Sequence, residues 1–202
     1  MCQPCPTKIG YNILMRKIIL ASISPRRKFL MKKLGLKFKV AESGYREHHH
    51  KHLSPKTLVK FLALGKARKA ALKYPHAIII AADTLVEFQG KILGKPKNKK
   101  DAQRILAMLS GKINYVLTGM AVVDSSANKI FSVVRKTKVV FKNLSEKIID
   151  DYIRTGEPMD RAGAYALDAS GIKFAQKVIG DMDSAIGLPV RDLRKILRKL
   201  AA

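Results

Sequence analysis

The stretch Ala77-Ile78-Ile79-Ile80-Ala81-Ala82-Asp83-Thr84-Leu85-Val86-Glu87-Phe88-Gln89-Gly90-Lys91-Ile92-Leu93-Gly94-Lys95-Pro96 decides how the chain is read. Its first six residues are an unbroken apolar run, the pattern of a strand buried on both faces. At the end of that run stand a carboxylate and a hydroxyl, Asp83 and Thr84. A second apolar stretch leads to a turn at Gln89 and Gly90, and the chain returns through Ile92 and Leu93 to Lys95. The pattern predicts a buried strand ending on an acid and running into a hairpin. Such a hairpin can fold Lys95 back toward Asp83, where the pair would hold a metal ion and a phosphate. The same residues also suit a solvated strand end followed by a Gly-Lys-Pro turn.

Upstream, Lys17 to Ala21 is a short apolar strand that runs into Ser22-Ile23-Ser24-Pro25-Arg26-Arg27. Ser24 is a good helix N-cap and Pro25 suits the first helical position. Phe29, Leu30 and Leu34 are the expected inner face, and Gly35 ends the helix. Free N–H groups at a helix start, with Ser24, Arg26 and Arg27 beside them, suit a phosphate; an ordinary capped helix with solvated arginines is the alternative. Phe38 to Ala41 reads as a second strand. A polar loop follows, with Glu42, Glu47 and the cluster His48, His49, His50 and His52. Those histidines lack the helical spacing and third ligand of a built zinc site, so the loop is read as solvated.

Ser54 and Pro55 open a long helix to about Tyr74, with Leu58, Phe61, Leu62, Leu64 and Ala67 as its apolar stripe. Lys66 lies close to that stripe, where a lysine either snorkels to water or meets an anion. After the hairpin, Asn98 caps a helix that Gly111 terminates. Ile113 to Val123 and Ile130 to Phe141 read as an antiparallel pair, and Ser145 caps a further helix. The last helix, Arg191 to Leu200, is apolar on one side and basic on the other; docking on the protein's own core is expected of it in preference to a membrane surface.

The chain has 202 residues, 47% of them hydrophobic, with 40 Lys and Arg against 15 Asp and Glu, a formal charge of +25. That excludes a disordered chain and implies a surface attractive to polyanions. The cysteines, Cys2 and Cys5, form a CxxC with no second half, which argues against a zinc or redox site. A body without cysteine fits a reducing cytoplasm. No run reaches the ~18 apolar residues of a membrane span. Residues 1–14 lack a signal-peptide core and read as a loose extension ahead of Met15, leaving 15–202 as a single domain.

Seven pieces now stand in order along the chain: LASISPRRKFL at 20–30, GKARKA at 65–70, AADTLV at 81–86, ILGKP at 92–96, LSGKINYVLTG at 109–119, YIRTGEPMDRAGAYAL at 152–167 and GDMDSAIGLPV at 180–190. Together they resemble the Maf family of nucleotide pyrophosphatases. The resemblance implies an α/β fold, a two-lobed mixed sheet flanked by helices with a central cleft, similar to inosine triphosphate pyrophosphatase. It implies hydrolysis of a nucleoside triphosphate to monophosphate and pyrophosphate with a divalent cation, Mg²⁺ or Mn²⁺, and a homodimer. By resemblance Asp83 is the general base, Glu47 and Asp83 hold the metal, and Ser24, Arg26, Arg27, Lys66 and Lys95 bind phosphates.

In the branch acting on dTTP and UTP, the first arginine of SPRR, the threonine after the aspartate and a glutamine after AGAY go with that preference. Here these are Arg26, Thr84 and Asp168. The first two agree. An aspartate at the third position only accepts hydrogen bonds and reaches less far than glutamine. The charge also raises a competing reading, a basic nucleic-acid-binding protein. Its few aromatics are not interleaved with the cations as a stacking platform requires. A regulatory role in cell division without catalysis is the other alternative.

Overall fold

The computed structural model describes residues 13, 15–46, 53–167 and 174–201. The strands are β1 (Lys17–Leu20), β2 (Lys39–Val40), β3 (Ala77–Phe88), β4 (Lys91–Leu93), β5 (Ile113–Asp124), β6 (Lys129–Phe141) and β7 (Ala175–Ile179). The helices are α1 (Pro25–Lys32), α2 (Pro55–Ala71), α3 (Lys99–Leu109), α4 (Glu146–Arg154), α5 (Met182–Ile186) and α6 (Val190–Ala201), with 3₁₀ turns at Glu157–Asp160 and Ala162–Ala164. All seven strands form one mixed sheet in the order β2-β1-β3-β5-β6-β7, with β4 also on β3. This is the expected mixed α/β architecture.

One expectation fails at the centre. Asp83 does not end a strand; it lies inside β3, which continues to Phe88. The cause is β5, whose residues Tyr115 to Asp124 pair with β3 without a break, Asp83 standing opposite Gly119 and Thr84 opposite Thr118. An acid is tolerated mid-strand because the other edge of β3 is uncovered there. β1 pairs with β3 up to Ile80, and β4 pairs from Val86 onward. Between them, residues 81–85 have β5 as their only neighbouring strand among the described residues.

That gap divides the molecule into two lobes. Side chains alternate across a strand, so each face of the sheet carries two separate apolar clusters. On one face, Ile78, Ile80, Ala82, Met120 and Val122 pack with α1 and α6, whereas Val86, Phe88 and Val116 pack with α3 and α4. On the other, Ile79, Ala81, Ala121 and Val123 pack under α2, and Leu85 and Leu117 form a small cluster with Val59. The residues between the clusters are Asp83 and Gly119 on one face and Thr84 and Thr118 on the other. The sheet is thus apolar through both lobes and polar at its waist.

The helices follow their sequence signals closely. Ser54, Asn98 and Ser145 accept the N–H of Thr57, Asp101 and Ile148 respectively, each closing a helix start. The apolar side of α6 is spent on the core through Val190, Leu193 and Leu197. Two expected core aromatics are corrected. Phe29 is 61% exposed and Phe61 41% exposed. On α1 the buried residues are Leu30 and Met31, and Phe29 stands beneath the Lys33 ammonium, 5.6 Å from the ring centre. On α2 the inner face is Val59, Leu62, Ala63, Ala67 and Ala70.

Candidate active site

A cleft of about 780 Å³ opens onto the bare edge of β3. Its walls come from both lobes: the segment after β1, the polar loop after β2, α2, β4 and the 3₁₀ turns around Asp160 to Ala162. Because the cleft straddles a sheet edge, it receives side chains from both faces of the sheet. Asp83 reaches it from the α2 side and Thr84 from the opposite side.

The depth at which α2 lies decides the first contact. Gly119, opposite Asp83, has the backbone of α2 pressed against it; a Cβ there would stand 2.4 Å from the Val59 carbonyl oxygen. A side chain would hold the helix off. Without one, α2 settles on the sheet and Lys66, about two turns beyond Val59, sets its Nζ 2.5 Å from Asp83 Oδ1. The two side chains are only 15% and 13% exposed, so this is a nearly dry ion pair. Tyr45, which also lines the cleft, packs against α2 next to Lys66. Its ring lies where a Cβ on Gly65 would be, at 2.5 Å.

The opposite wall is built on Arg27. Its Nε donates to the Gly187 carbonyl at 3.0 Å, Nη1 to Ser22 Oγ at 3.2 Å and Nη2 to Thr84 Oγ1 at 3.3 Å. Gly187 follows the C-terminus of α5, where carbonyls lacking helical partners attract a cation. Ser24 precedes α1 as expected, but its side chain makes no capping hydrogen bond, and the first turn of α1 has no acid. That leaves the start of α1 cationic. Ser24, Arg26 and Arg27 all line the cleft.

Lys95 also lines the cleft, at its outer rim. The hairpin does not bring it onto Asp83. Its ammonium is paired with Asp160, and both side chains are largely exposed, at 63% and 76%. So the two lysines differ: Lys66 is deep and held by an acid at the sheet, whereas Lys95 sits in solvent. Glu47 and Asp168, the expected metal partner and base-selecting residue, lie outside the described residues, as do the histidine cluster and both cysteines. Among the described acids, Glu42 lines the same cleft as Asp83. No group of three or more His, Cys, Asp or Glu able to hold a metal occurs among the described residues.

Three cleft residues escape the sequence reading. Arg161 lines the wall with its side chain 15% exposed and Nη2 3.4 Å from Glu157. Asp160 is the partner of Lys95. Tyr165 lines the floor, donates to Asn114 Oδ1 at 2.6 Å and meets the Phe141 ring edge-on at 4.8 Å. Burial pushes the Tyr165 phenol far above its ordinary range, so it stays a neutral donor. The sequence carried one usable signal for these, the MDRAGAY segment with its glycine. Gly163 has φ 69°, and a Cβ there would meet Val86 at 3.0 Å.

An acid paired with a lysine on one side of a cleft, and an arginine with a helix start on the other, is an arrangement that can receive a phosphorylated ligand across a sheet edge. Residues 17–200 match the family described as Maf-like protein, and the chain belongs to that family. A dTTP/UTP pyrophosphatase of Geobacillus sp. (strain WCH70) is 44% identical over 185 residues, covering 91% of this chain and 98% of the relative. One from Dictyoglomus thermophilum is 43% identical over 186 residues, covering 92% and 96%. One from Methanosarcina barkeri is 43% identical over 186 residues, covering 92% and 94%.

Proposed function

We propose that this chain hydrolyses a nucleoside triphosphate, dTTP or UTP or a modified nucleotide, to the monophosphate and pyrophosphate. The observation that carries the reading is the Lys66–Asp83 pair facing Arg27 across one cleft, together with the names of the relatives. In this reaction water attacks the α-phosphorus, and negative charge builds on the phosphate oxygens and the departing pyrophosphate. Asp83 takes the proton from the attacking water. Lys66 holds the Asp83 carboxylate in place through their 2.5 Å ion pair. Arg26, Arg27, the start of α1 and Lys95 receive the charge of the triphosphate. To reach a phosphate, Lys95 exchanges Asp160 for it, an exchange that costs little because the pair is exposed.

The donor set suits a divalent cation. Mg²⁺ and Mn²⁺ take oxygen ligands, commonly one or two carboxylates completed by substrate phosphates and water. Asp83 and Glu42 supply carboxylates to the cleft, and Glu47 is the third candidate, from the sequence. When bound, the cation would neutralise phosphate charge and lower the pKa of its water.

The test is Asp83→Asn. General-base catalysis contributes ~10²–10⁴-fold, so pyrophosphate release falls at least about a hundredfold with the fold retained. A fully active variant removes Asp83 from this role. For base choice, Asp168→Gln raises turnover of dTTP or UTP relative to other nucleotides; an unchanged profile removes Asp168 from base reading. Binding to duplex and single-stranded nucleic acid at ~150 mM salt, where weak phosphate contacts fade, separates the enzyme from a polyanion-binding protein.

A further inference from the structure

Thr118 lies beneath the cleft and is fully buried, at the sheet's waist between two apolar clusters. Packing does not require a hydroxyl there, since valine has the same shape, and a buried hydroxyl costs free energy unless it is hydrogen-bonded. A second hydroxyl, that of the half-buried Thr84, faces it across the strands. Thr84 Oγ1 and Thr118 Oγ1 are 3.0 Å apart. Thr118 Oγ1 is also 2.7 Å from the Ser184 carbonyl oxygen of α5.

These contacts fix the direction of every proton. A carbonyl only accepts, so the single Thr118 proton goes to Ser184. Thr118 must then accept from Thr84, which uses the single Thr84 proton. Thr84 Oγ1 is left as an acceptor, and a guanidinium only donates, so it receives Arg27 Nη2–H at 3.3 Å. The chain runs one way: Arg27 to Thr84 to Thr118 to the Ser184 carbonyl. Arg27 is tied to the same helix end a second time, through Gly187.

We propose that Thr118 is a positioning residue for the cleft. It holds the Thr84 hydroxyl with its oxygen toward Arg27, and so sets the Arg27 guanidinium at the depth where it meets the substrate. Without the Thr118 hydroxyl, Thr84 is free to turn its proton toward the cation, which would push Arg27 out of register. This inference rests on the pyrophosphohydrolase reading above and deepens it.

The experiment compares steady-state pyrophosphate release from dTTP by the wild type, Thr118→Val, Thr118→Ser, Thr84→Val and the double variant Thr84→Val/Thr118→Val. Loss of one hydrogen bond's worth of positioning predicts that KM rises about fivefold to tenfold in Thr118→Val, with kcat much less affected. Thr118→Ser, which keeps the hydroxyl, restores KM. In the Thr84→Val background, where the chain is already cut, Thr118→Val adds no further rise. Unchanged KM in Thr118→Val overturns the proposal, as do multiplying effects in the double variant or failure of Thr118→Ser to restore KM. Thr118→Ala removes the same hydroxyl without placing a methyl group against the Ser184 carbonyl, and stands in if Thr118→Val does not fold. If neither folds, Thr118 is a structural residue and the proposal falls. An inactive wild type would instead defeat the underlying reading of the activity.

Discussion

Gly119→Ala tests how the Lys66–Asp83 pair is assembled. The added Cβ would lie 2.4 Å from the Val59 carbonyl oxygen and 2.7 Å from its carbonyl carbon, both backbone atoms that cannot rotate away. Restoring an ordinary contact of about 3.4 Å requires α2 to retreat from the sheet by about 1 Å. Lys66 rides on α2 and Asp83 on the sheet, so the 2.5 Å Nζ–Oδ1 contact opens by a comparable amount. Overpacking of this kind costs about 1–3 kcal/mol of stability, and a 1 Å misplacement at a reacting centre can cost about a hundredfold in rate. The variant should unfold at lower urea concentration with an unchanged denaturant slope, and its kcat/KM should drop by roughly one to two orders of magnitude. Wild-type turnover in a folded Gly119→Ala protein would refute the argument that the depth of α2 sets the Lys66–Asp83 pair.

Other perturbations separate lobe stability from site chemistry. Arg16 makes two 2.6 Å hydrogen bonds to Asp124, whose carboxyl they hold below the usual carboxylate range. A depressed carboxyl stabilises the fold above its unfolded pKa of about 4 and loses that contribution as pH falls through the lower folded value. Arg16→Ala should therefore lose about 1–3 kcal/mol at neutral pH, and the gap to wild type in urea unfolding should close in strong acid. Gly163→Ala combines a left-handed backbone with a 3.0 Å approach to Val86; it should raise KM and lower the melting temperature, measured by kinetics and calorimetry. Removing divalent cations with EDTA should abolish pyrophosphate release, and Mg²⁺ or Mn²⁺ should restore it.

The sequence exposes the parts of this fold that depend on local pattern. Capping residues Ser54, Asn98 and Ser145 announce their helices because each meets its own N–H a few residues on. The long strands β5 and β6 are legible from their β-branched runs. What escapes depends on long-range pairing. Asp83 looks like a strand end because acids rarely sit mid-sheet, and only the uncovered edge between Ile80 and Val86 makes the position tolerable. β7 is short and interrupted by Lys177, and it forms because β6 offers an edge. The apolar pattern puts Phe29 on the inner face with Leu30 and Leu34, yet the turn of α1 buries Leu30 and Met31 and leaves Phe29 exposed. At the site, Lys66 stands out as a lysine beside an apolar stripe. Thr118 carries no such mark. Its role depends on a threonine 34 residues away and on a carbonyl 66 residues away, pairings that no local spacing encodes.

The most direct test of the account uses the wild-type enzyme in ¹⁸O-labelled water with dTTP and Mg²⁺, followed by mass spectrometry of the products. Attack on the α-phosphorus beside Asp83 predicts one ¹⁸O in the nucleoside monophosphate and none in the pyrophosphate. Label in the pyrophosphate, or release of orthophosphate as the first product, would contradict it.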